Sequence, residues 1–156
     1  MMRHVTRHLL SARGQTLVEF ALIAPIFVIL FAGIIDFAMA MDRRIVLEHA
    51  VREGARYAAV TDDEGLVRDR VIEQAPGMLD SSDITICYED KSRPPDGVAT
   101  GVRDSVKVTA SFTYDLPLIR PALSGLFGGD IGTIDMSPSG DSWLEKSVPG
   151  GTECPP

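Results

Sequence analysis

The chain lacks the short motifs that announce common catalytic chemistries. It contains no H-E-x-x-H helix, no G-x-S-x-G turn and no phosphate-binding loop. Gly125, Gly128 and Gly129 do not stand between a strand and a helix, as a dinucleotide fingerprint requires. Cysteine is scarce: Cys87 and Cys154 are the only two, a separation that fits no zinc-ligand spacing. Histidine is equally thin, with His4 and His8 in a basic leader and His49 alone. The adjacent acids Asp62 and Asp63, or Glu89 and Asp90, lie in polar stretches where carboxylates stay solvated, and no calcium-loop pattern surrounds them. The expectation is therefore no enzyme, no cofactor and no metal. Basic residues are also in deficit, 15 against 22 acids, for a net charge of -7. That excludes nucleic acid as a partner, because phosphate binding needs a basic face.

What the sequence does have is a polarised front. Its 156 residues fall within one domain's length of about 100 to 200. Arg3, Arg7 and Arg13 precede the first acid, and all 22 acids follow from residue 15 on. Gln15 to Ile35 reads QTLVEFALIAPIFVILFAGII, with 16 uncharged residues from Phe20 to Ile35. As a helix this segment is about 31 Å long, the thickness of a bilayer's hydrocarbon core. The positive-inside rule puts the N-terminus in the cytoplasm, since Arg43 and Arg44 beyond the span are accompanied by Asp36 and Asp42. Pro25 removes one backbone hydrogen bond, so a kink is expected there.

Two processing events compete for this region. Ala38-Met39-Ala40 supplies a small-x-small signal peptidase site, and cleavage after Ala40 would release a secreted or surface-anchored binding module. The rival starts from Glu19, a carboxylate near the end of an apolar span that needs a partner. Cleavage after Gly14 would place a new α-amino group on Gln15, four residues before Glu19 and on the same helix face. Gly14, with no side chain, would let the backbone enter a protease cleft in extended form.

The stretch R-G-Q-T-L-V-E-F, residues 13 to 20, resembles the prepilin-peptidase site of type IV pilins, with Gly14 before the cut and Gln15, Glu19 and Phe20 after it. With LEHAVREGARYAAV following the span, it resembles the TadE-like family of pseudopilins from the tight adherence (Flp) pilus system. The resemblance implies removal of leader 1–14 by a prepilin peptidase. It also implies an inner-membrane span over 15–35, and partners among other pilins, pseudopilins and the pilus assembly platform. The protein would be that peptidase's substrate.

Beyond the span, a helix is expected over 36–60, supported by Glu48/Arg52 and Glu53/Arg56 at helical spacing. Ala50, Gly54 and Ala58 form a smooth stripe that either packs within the subunit or meets another one. Together with Glu19, Pro25 and Asp36, these are the candidate subunit-contact positions. Residues 61–156 read as an extracytoplasmic head. A capped helix is expected over LVRDRVIEQA, then a half-buried strand with Ile84, Ile86 and Tyr88 inward. A loop follows over 91–101, then one strand from Val106 to Leu116 on six period-two matches. Pro117 and Pro121 end that strand. A Gly-rich turn over Leu126 to Asp130 leads to a weak strand at Ile134 and Met136, and then to a flexible tail. Cys87 and Cys154 either pair, fastening the tail to the sheet, or leave Cys154 for an intermolecular bond. The fold class expected is α+β: a long membrane-spanning helix continuing into a small head with an antiparallel sheet, pilin-like in outline.

Overall fold

The computed structural model describes residues 5–91, 104–128, 132–148 and 151–155, with side chains from Gly14 onward except at 126–127. Helix α1, Val5–Ala58, runs for 54 residues, and its helical assignment is unbroken at Pro25. Helix α2 is Glu64–Gln74 and helix α3 is Arg120–Phe127. The strands are β1 (Ile84–Glu89), β2 (Ser105–Ala110), β3 (Phe112–Asp115), β4 (Thr133–Met136) and β5 (Ser139–Trp143). The chain is α+β, with β1-β2-β5 and β3-β4 each forming an antiparallel sheet. Two compact units result: the described parts of Met1–Ala38 with Leu116–Gly132, and those of Met39–Asp115 with Thr133–Pro156.

The second unit is the head, and its core shows why the C-terminal half of α1 is rich in small residues. Leu47, Ala50, Val51, Ala55 and Ala58 are buried with Val67 and Val71 of α2, Ile84, Ile86 and Tyr88 of β1, and Val106, Val108 and Ala110 of β2. Each larger member contributes roughly 1.5–3 kcal/mol by leaving water. Alanine and glycine on α1 let its neighbours come close. A Cβ on Gly54 would fall 2.3 Å from Val71 Cγ2, and one on Gly140 of β5 only 2.7 Å from the Val51 carbonyl oxygen. Helix α2 begins as its sequence dictates, with the Asp63 carboxylate accepting from the amides of Gly65 (2.9 Å) and Leu66 (3.3 Å). It ends before Pro76, and Gly77 adopts a left-handed φ of 72°.

Several expectations are corrected. The alternation from Val106 to Leu116 is two strands in two sheets. β2 ends at Ala110, the Ser111 amide still donates in register with β1 to the Asp83 carbonyl, and from Phe112 the chain pairs with β4 instead. Phe112 and Tyr114 keep the alternating phase, so the break leaves no mark in the hydrophobic pattern. Pro121 starts a structure as well as stopping one, since it stands in the first turn of α3, where its missing N–H costs nothing. The polar stretch SGDSW forms β5, which the sequence reading missed. Cys87 is buried rather than outward-facing, and the tail is bound. Thr152 accepts from the Tyr88 amide at 2.9 Å, the Cys154 amide donates to the Tyr88 carbonyl at 2.9 Å, and Cys87 and Cys154 form a disulfide. At the other end of β1, the Arg68 guanidinium donates to the Ile84 carbonyl. The expected loop over 91–101 lies, apart from Lys91, outside the described residues, as do Gly129 and Asp130 of the Gly-rich turn, whose first two residues, Leu126 and Phe127, instead end α3.

Candidate functional site

The N-terminal part of α1 carries the residues singled out for processing. Gly14 lies within the helix, with nothing within 4 Å of the place a Cβ would occupy. Its backbone freedom makes this turn cheaper to unwind than an alanine would. Gln15, Glu19 and Phe20 are exposed, and the Gln15 side-chain amide donates to Glu19 Oε1 at 2.9 Å. The four-residue spacing thus delivers Glu19 to the site of residue 15, whose backbone nitrogen would carry a charge once the preceding bond is cut.

From Glu19 onward the helix surface is apolar and uncovered. Leu17 and Leu22 are each 70% exposed, and Phe20, Ile26, Val28 and Phe31 are close behind. The helix is long and apolar enough to cross a membrane, and none of its most apolar window is buried within the protein. A soluble protein's core helix would bury that surface; this one presents it to its surroundings.

At the end of the apolar run the surroundings change. Asp36 is fully buried, and its carboxylate accepts from the Leu118 amide (3.0 Å) and the Ile119 amide (2.8 Å). These amides precede the first turn of α3, so Asp36 stands at that helix's N-terminus and caps it from another element. One turn earlier, a Cβ on Gly33 would lie 3.3 Å from Ile119 Cδ1. Asp36 therefore has an intrachain partner, which the sequence reading missed because no local spacing links it to residue 118. Ala50, Gly54 and Ala58 are likewise buried in the head's own core, the intrachain arrangement of their stripe.

The head's charges form pairs on its surface. The Lys91 ammonium holds the Glu89 carboxyl below the usual range, aided by Lys107 at 3.8 Å. A 3.0 Å hydrogen bond from Lys146 lowers Asp62, and Glu53 and Glu73, each at 3.3 Å, raise Arg70. Burial pushes the Tyr88 phenol up. Among the described residues no group of three His, Cys, Asp or Glu side chains is placed to hold a metal ion.

An unburied apolar helix opened by Gly14 and Glu19 is the arrangement against which a family comparison can be set. The family model described as TadE-like protein matches residues 14–56. This stretch is TadE-like. The match covers the apolar run, Asp36 and most of the helix's extension into the head. Comparison with curated proteins and with solved structures gave no match. The TadE-like segment ends before α2, so the remainder of the head stands on its own geometry.

Proposed function

We propose that the protein is a minor pilin-like subunit, a pseudopilin, required for assembly of tight adherence (Flp) type pili. A prepilin peptidase cuts after Gly14, and the chain remains in the inner membrane as a single-pass protein. Its N-terminus is cytoplasmic and its head extracytoplasmic. The observation that carries this reading is that the TadE-like match begins at Gly14, directly before the apolar run Gln15 to Ile35, whose large side chains the protein leaves exposed. After cleavage the Gln15 ammonium and the Glu19 carboxylate lower each other's desolvation cost in the bilayer, within one chain or between neighbouring pilin-like helices. Partners are the peptidase, other pilins and pseudopilins, the assembly platform and lipid.

The rival cut after Ala40 would fall inside α1, next to a residue that is 0% exposed and packed in the head core. It would also strip Asp36 from Leu118 and Ile119. Intact mass and N-terminal sequencing of membrane-fraction protein separate the products. A chain beginning at Gln15 is expected. One beginning at Met41, or an uncut one, refutes the processing. Glu19→Ala should leave the subunit stable in the membrane but abolish piliation, and normal piliation would contradict the assembly role.

A further inference from the structure

We infer that the segment Leu116 to Phe127 is a second membrane contact: a short foot that rests in the lipid interface beside the point where α1 leaves the bilayer. The inference rests on α1 being retained in the membrane, and it adds a lipid-binding surface outside that helix.

Three observations converge on it. Leu116 to Gly129, LPLIRPALSGLFGG, contains no acid and a single cation, Arg120, in a chain whose net charge is -7. Among its described side chains the apolar ones are not absorbed by a core, since Leu118 is 49% exposed and Ile119 and Leu123 are only partly buried. Finally, its depth is fixed. The Asp36 carboxylate holds the Leu118 and Ile119 amides, and Ile119 lies against Gly33, about 4.5 Å further into the apolar run along the helix axis. Ile119 is therefore level with the last turn of the span, where Ile29, Leu30, Ile34 and Phe37 join it around a shallow apolar hollow of about 410 Å³.

The occupant follows from continuity. Ile119 continues the exposed apolar face of α1 around that hollow, and Leu118 beside it is exposed, so the hydrocarbon that covers the helix covers these side chains too. A short apolar helix with a flanking arginine suits the boundary between headgroups and acyl chains, where the guanidinium reaches phosphate while the leucines stay in the tails. Asp36 would be costly at that depth as a bare carboxylate, and the two amides of the foot satisfy it. The foot and the buried acid thus require each other.

The test uses the full chain in vesicles of phosphatidylethanolamine and phosphatidylglycerol, with and without bromine on the acyl chains. Trp143 is the only tryptophan and is 63% exposed on the head. A Trp143→Phe background therefore gives a silent chain into which Leu118→Trp, or Leu123→Trp as a second probe, can be placed. Phe27→Trp reports separately whether α1 is inserted. Blue-shifted emission from the foot probes that loses most of its intensity to brominated lipid, as Phe27→Trp does, is the expected result. With Phe27→Trp quenched, water-like emission from both foot probes would overturn the inference. So would blue-shifted emission that bromine leaves intact, which would mean that another protein helix covers the foot. An unquenched Phe27→Trp would refute membrane retention instead.

Discussion

Gly140→Ala should be among the most damaging single-methyl substitutions in the head. Gly140 lies in β5 opposite Val108, and β5 crosses α1 so closely that the new Cβ would stand 2.7 Å from the Val51 carbonyl oxygen and 2.8 Å from the Arg52 amide nitrogen and Cα. Ordinary contact begins near 3.4 Å, and all three obstacles are helix backbone, which cannot rotate away as a side chain could. Either β5 lifts from the helix or the sheet register shifts. Overpacking of this kind costs about 1–3 kcal/mol, and a rigid obstacle argues for the upper part of that range. At roughly 2–4 °C per kcal/mol for a chain of this size, the melting temperature should fall by several degrees or more. Gly125→Ala is the internal control: it sits inside α3 with nothing within 4 Å. There the gain in helix propensity should stabilise by about 0.5–1 kcal/mol. Thermal melts of both variants in detergent micelles, followed by circular dichroism, provide the comparison. If Gly140→Ala melts with or above Gly125→Ala, the close approach of β5 to α1 is not what glycine serves.

Cys154→Ser should lower stability by roughly 4 kcal/mol on the loop-entropy scale for a 67-residue separation; an unchanged denaturation midpoint, in that variant or in reductant, would contradict a structural disulfide. Asp36→Ala removes the acceptor of the Leu118 and Ile119 amides, with a local cost of about 1–3 kcal/mol. Hydrogen exchange at both amides should accelerate, and unchanged protection would mean that Asp36 does not hold the segment. Glu89 is held below its ordinary value by Lys91, so its contribution is present above the unfolded-chain pKa and is lost as pH falls through the depressed one. Glu89→Gln should therefore flatten the acid side of a melting-temperature profile. Tyr88, raised by burial, acts oppositely: its contribution is complete below its unfolded value and lost as pH rises through the raised one, which Tyr88→Phe should abolish.

The sequence was most legible where one force dominates over many residues. Sixteen uncharged positions leave little choice but an apolar helix, and Asp63 announces the start of α2 because its cap is satisfied within three residues. Legibility failed where a decision depends on a remote partner. The change of sheet after Ser111 is set by pairing with the remote β4, and the phase of the apolar residues passes through it unchanged. β5 reads as a loop because its value to the fold is a missing side chain at Gly140. Asp36 reads as a simple exit charge, because the amides that satisfy it lie 82 and 83 positions away. The proposed processing site is a purely local pattern, since Gly14, Gln15 and Glu19 stand within about a turn and a half of one helix.

The occupied rim of β1 limits what the three-stranded sheet can build. Its Tyr88 amide and carbonyl are taken by the tail, and its Ile84 carbonyl by Arg68, so an incoming strand finds groups at both ends of that edge already engaged. Strand addition along this edge would first have to peel off the tail that the disulfide fastens there.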